Sequence, residues 1–130
     1  MPITEESRKL IFNKLKRNLE KHTPPLIVSS DSPDISYEIM GNKPVPYGYD
    51  KKMVPGMFFA QIAQRKESVT LHFFPIYMDV KMKEVAPSLM KCLKGKTCFH
   101  FNKEEQINET ELSLLLEKGI VAWEKLGYMK

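Results

Sequence analysis

Lys91-Cys92-Leu93-Lys94-Gly95-Lys96-Thr97-Cys98-Phe99-His100-Phe101 holds a helix stop, a basic turn and a strand start within eleven residues. Leu89, Met90 and Leu93 recur at helical spacing, and Gly95 has the place of a left-handed C-cap. Phe99 and Phe101 then alternate with Cys98 and His100 as a half-buried strand does. The stretch fixes a fold element and names no reaction.

Upstream, Ile35, Tyr37 and Ile39 alternate over residues 35–40, and Phe58, Ala60 and Ile62 do the same. Arg65-Lys66-Glu67-Ser68 turns the chain, so Val69, Leu71 and Phe73 read as the returning arm of a hairpin. Leu26-Ile27-Val28 is a short extended piece, broken by Ser29-Ser30-Asp31-Ser32-Pro33. The segment 41–56 carries three prolines and three glycines, which predicts one long loop without regular structure, of a length more often functional than connecting.

Helices frame these strands. Thr4 is an N-cap with Glu5 and Glu6 in the first turn, and Leu10, Ile11, Leu15 and Leu19 form the apolar stripe that Pro24-Pro25 ends. Met78 to Leu93 reads as mainly helical, interrupted at Pro87. In the final helix Asn108 and Glu111 have capping-box spacing, and Ile107 and Leu112 that of a hydrophobic staple. Its stripe is Leu112, Leu115, Leu116, Ile120 and Trp123, and Gly127 stops it.

These elements predict one α+β domain over residues 1–130, a two-layer sandwich in which helices cover one face of a mainly antiparallel, four- to five-stranded sheet. Alternation sends Val69, Leu71, Phe73, Phe99 and Phe101 to the helix side. Glu38, Gln61, Thr70, His72, Cys98 and His100 are left for the other face, where they converge if their strands are neighbours.

The pattern Leu89-x-Lys91-x-Leu93-x-Gly95-Lys96-x-Cys98-Phe99 before an acidic final helix resembles the YdhG-like family of domains of unknown function. Ile35-Ser36-Tyr37-Glu38-Ile39-Met40-Gly41 with Pro44 is similar to that family's early strand and proline turn. Phe58-Phe59-Ala60 through Ser68-Val69-Thr70-Leu71-His72-Phe73 is similar to its central hairpin. The likeness implies a small α+β fold. Some members are described as frataxin-like iron chaperones, which would imply an acidic surface; the nearest carboxylates are Glu104, Glu105, Glu109 and Glu111. Acids at a helix start also have an ordinary role against its dipole, and a net charge of +4 opposes concentrating iron.

Composition narrows the classes further. No apolar run approaches the roughly 20 residues that span a bilayer, and Met1-Pro2-Ile3-Thr4 lacks a signal-peptide pattern, so a soluble cytoplasmic protein is expected. Cys92 and Cys98 lack redox or zinc spacing and read as reduced thiols. Basic residues on the first helix (Arg8, Lys9, Lys14, Lys16, Arg17, Lys21) and around the turn (Lys91, Lys94, Lys96, Lys103) admit an acidic partner. Without a nucleic-acid motif they read as solvated faces, and nucleic acid is not expected.

The enzyme signatures fail. Gly95-Lys96-Thr97 ends like a P-loop but has Met90 where the first glycine belongs, and it leads into a strand. No Gly-x-Ser-x-Gly elbow or His-Glu-x-x-His helix exists, so no catalytic residue and no cofactor are assigned. Cys98 with His100, His72 and Glu38 would suit zinc or ferrous iron, but the plainer alternative of ordinary sheet residues is preferred and no metal ligand is assigned. Tyr47 and Tyr49, beside Lys43, Lys51 and Lys52, can stack on a ligand or clamp their own loop. The expectation is a non-enzymatic module binding a small molecule or protein through Tyr47, Tyr49, Lys51, Glu38, His72 and His100, with an iron chaperone and an undiscovered enzyme as alternatives.

Overall fold

The alternating segments hydrogen-bond side by side into one antiparallel sheet with both long helices on the same face. The computed structural model describes residues 4–23, 26–32, 35–47, 52–95 and 97–129. They form α1 (Glu5–Glu20), β1 (Ile27–Ser32), β2 (Ser36–Met40), β3 (Val45–Tyr47), β4 (Lys52–Val54), β5 (Phe58–Gln64) and β6 (Val69–Phe73). There follow α2 (Pro75–Met78), a 3-10 helix (Val80–Val85), α3 (Pro87–Met90), β7 (Leu93–Lys94), β8 (Cys98–Phe101), a second 3-10 helix (Glu104–Gln106) and α4 (Glu109–Lys125). The main sheet has the order β1-β2-β5-β6-β8-β7, while β3 and β4 form a separate ribbon.

The α+β class is as expected, but the sheet has six strands rather than four or five. Both additions are at its edges. In β1 the residues Ser30 to Ser32, read as part of a breaker, pair with β2 beyond an irregularity between Val28 and Ser30. An edge strand exposed along its length has no apolar alternation to reveal it. β7 is two residues long and follows directly on the last turn of α3. Segment 41–56, expected to be wholly irregular, contains the β3–β4 ribbon, where Pro46 stands opposite Met53. A two-stranded ribbon is all edge, so a proline lacking its N–H is tolerated there.

Two further expectations shift. Between Met78 and Leu93 the helical structure is limited to the 3-10 stretch and the four-residue α3, with Pro87 at the latter's first position, where its missing N–H costs nothing. Gly95 has the positive φ expected of it, 76°, but uses it in the β7–β8 turn instead of capping a helix. In α1, Leu10 is exposed and Phe12 takes its place in the core beside Ile11, Leu15 and Leu19.

Thr4 Oγ1 accepts from Ser7 N at 3.0 Å, which caps α1. Asn108 Oδ1 accepts from Glu111 N at 3.1 Å and caps α4. Glu111 does not complete a capping box. Its Oε1 reaches across to accept from Ser88 N at 2.8 Å and Leu89 N at 3.2 Å, so a carboxylate on α4 satisfies the start of α3, which has no side-chain cap of its own. At the other end of α4, Gly127 N donates to Glu124 O and Tyr128 N to Trp123 O, the two bonds of a Schellman ending, and the Tyr128 ring packs on Trp123.

The core lies between this helix pair and the sheet. Phe59 crosses Phe73 edge to face at 5.4 Å and Trp123 at 5.7 Å, all three fully buried. Each such ring is worth roughly 1.5–3 kcal/mol relative to an exposed one. Gly119 lets α4 come down onto Phe59 and Phe73, since a Cβ there would lie within 2.8 Å of both ring tips.

Candidate functional site on the uncovered sheet face

Antiparallel pairing places partner residues on the same face, so register alone assembles the site. Glu38 stands opposite Gln61, Gln61 opposite His72, His72 opposite Cys98, and Cys98 opposite Lys94. One row of polar side chains therefore crosses five strands. Beside it Ala63, Thr70 and His100 form a second row, which ends where His100 N donates to Cys92 O at 2.9 Å. The same alternation buries Ile62, Leu71 and Phe99 under the helices, so the assignment of faces from sequence is correct here.

Gln61, Thr70, His72, Cys98 and His100 line a hollow of about 410 Å³, with Arg65 and Lys66 of the β5–β6 turn at its rim. Past Ser68 and His100 it continues into a second hollow of about 380 Å³, lined also by Lys91, Lys94 and Gln106. His100 belongs to both. At the other end, Phe58 stands edge-on to His72 with ring centres 5.1 Å apart.

Burial lowers the pKa of His72 below its usual 6.5, although the Glu38 carboxylate pulls the other way. Burial also lowers that of His100, and there Lys94 and Arg65 both add to the effect. Each ring is therefore neutral at pH 7 and offers a ligand one donor and one acceptor nitrogen. Among the described residues neither imidazole hydrogen-bonds a carboxylate. Glu38 shares the face but accepts from Ser29 Oγ at 2.8 Å, and it does not line the hollow.

The expected site residues thus divide. His72 and His100 come together, and Glu38 lies two strands away from His72. Tyr49 and Lys51 lie outside the described residues, and Tyr47 is placed only by its backbone at the end of β3. Arg65, Lys66 and Lys94 were not in the expected set. Their signal was present as basic residues in two separate stretches, but only strand order brings them to two hollows that share His100.

Among the described residues no three His, Cys, Asp or Glu side chains group closely enough to share a metal ion. Both thiols are free. Of the acidic candidates, Glu104 pairs with Lys14 at 3.6 Å, Glu109 accepts from Asn18 at 3.3 Å and Glu111 caps α3. On α1, Lys9 pairs with Glu5 and Lys16 with Asp31.

A third hollow, of about 460 Å³, lies between the Val80–Val85 turn and α4, with Met78, Met82, Val121 and Leu126 among charged neighbours. Its Asp79 carboxylate is engaged by Lys81 N at 3.0 Å. Among the described residues no helix is long and apolar enough to cross a membrane. No protein-family model, no curated protein and no solved structure matches the chain.

Proposed function

We propose that this chain is a non-enzymatic, cytoplasmic binding module, resembling the YdhG-like domains, that takes a small polar ligand on the uncovered face of its sheet. The observation that carries the proposal is the register that puts Gln61, His72 and Cys98 in one row and Thr70 and His100 in the next, beneath a hollow of about 410 Å³. Convergent polar groups in a concavity are the usual mark of a ligand site. Neutral imidazoles there suit a ligand carrying both donors and acceptors. Catalysis is the weaker reading, because a general base is normally oriented by a third group and neither histidine has a carboxylate partner among the described residues. The described ends of the segment that carries Tyr47, Tyr49 and Lys51 are tied by the Gly41 N to Met57 O bond, and Val45 and Val54 pack against the core. An iron chaperone would find three of its four expected carboxylates already engaged within the fold.

Native mass spectrometry of freshly purified protein tests this. A one-to-one small-molecule adduct that is lost in His72→Gln and His100→Gln is expected. An adduct indifferent to both substitutions, or one whose mass is that of iron, would overturn the proposal.

A further inference from the structure

The two hollows that meet at His100 have an unbalanced rim. Arg65 and Lys66 come from the β5–β6 turn, Lys91 follows α3, and Lys94 ends β7. Among the described residues the one carboxylate lining either hollow is Glu67, which lines both. None of the four cations makes an ion pair among the described residues, although Lys9, Lys14 and Lys16 on α1 each do. Four like charges with a single carboxylate among them repel one another, and a bound anion relieves that repulsion. The floor between them is neutral and rich in hydrogen-bonding groups: Gln61, Ser68, Thr70 and His100.

We infer that the ligand of the sheet face is a small oxyanion, a phosphate or carboxylate group held between Arg65 and Lys94 over His100. This rests on the proposed site and names its chemical class. Arg65 offers a planar fork of donors that matches either group, while Lys94 offers a point charge from the opposite turn. Both lie near enough to His100 to disfavour its protonated form, so an anion seated between them reverses the local field. Binding is then coupled to proton uptake by His100, and affinity rises as the pH falls toward the usual imidazole range.

The test is isothermal titration of the full chain with sodium pyrophosphate and, separately, sodium citrate, against sodium chloride of equal ionic strength. One-site binding of pyrophosphate, citrate or both is expected, with the preference between them separating phosphate from carboxylate chemistry. Arg65→Gln and Lys94→Gln should each weaken it by about two- to fivefold, as loss of one exposed charge–charge contact allows, while Lys125→Gln at the distant hollow should not. Near pH 6.5 the heat should depend more steeply on the ionisation enthalpy of the buffer in wild type than in His100→Gln, where only the anion's own proton exchange remains. Anion binding unchanged in Arg65→Gln and Lys94→Gln overturns the inference, and so does a long polyanion that binds where both small anions fail. No heat beyond chloride, together with a native adduct still dependent on His72 and His100, removes the oxyanion and leaves the sheet-face site standing. If that adduct is also indifferent to both histidines, site and ligand class fall together.

Discussion

Gly119→Ala sets two effects of opposite sign against each other. In an exposed helix interior the change would stabilise by about 0.5–1 kcal/mol, because glycine has the greater backbone entropy to lose. At this position the new Cβ would lie 2.7 Å from Phe73 Cζ and 2.8 Å from Phe59 Cζ. Carbon atoms prefer about 3.5–4.0 Å, so the rings must retreat by nearly 1 Å. They have nowhere to go, because each is fully buried, they lock one another edge to face, and Phe59 is further held by Trp123. Overpacking a filled core costs about 1–3 kcal/mol, and two trapped rings place this site toward the upper end. The net expectation is a loss of about 1–2 kcal/mol. With a urea slope near 2 kcal/mol per M, the midpoint should fall by about 0.5–1 M with the slope unchanged. A midpoint that rises would mean that helix propensity prevails and that α4 does not approach the sheet as closely as described.

Glu111→Ala should cost about 2 kcal/mol, since it strips two α3 amides of a charged acceptor, whereas Asn108→Ala should cost about 1 kcal/mol as an ordinary N-cap loss. Hydrogen exchange separates the two, because Ser88 and Leu89 amides should lose protection in the first variant only; equal protection in both would refute the cross-helix cap. Burial lowers the pKa of His22, His72 and His100 below the usual 6.5, so the unfolded chain takes up these protons first as the pH falls. Their contribution to stability is complete above pH 6.5 and is lost as the pH drops through the folded values. The urea midpoint should therefore fall between about pH 7.5 and pH 5.5, and less steeply in a His72→Gln, His100→Gln double variant; parallel curves would contradict the burial of these rings.

The elements legible in the sequence are those with one buried and one wet face. Tyr37 and Ile39, Leu71 and Phe73, and Phe99 and Phe101 bury one side of their strands, and period-two alternation finds them. β1 and β7 are sheet edges with almost nothing buried to alternate, so their pairing is decided by the neighbouring strand. Glu111 has the spacing of a capping box, but the geometry of α3 against α4 redirects its carboxylate, a tertiary preference that no local pattern carries. The same division holds at the site. That His72 and His100 share a face follows from parity, but that Arg65 and Lys94 flank His100 depends on β6 and β8 being neighbours, and parity is silent about strand order.

The central claim is that the uncovered face of the sheet receives the ligand. Its most direct measurement is a map of backbone amide shifts as small polar fragments, charged and neutral, are titrated into the labelled chain. Shifts that saturate together at Gln61, Thr70, His72, Cys98 and His100 are the predicted result. Saturating shifts confined to the hollow around Met82, Val121 and Leu126, with the sheet-face amides unmoved, would contradict it.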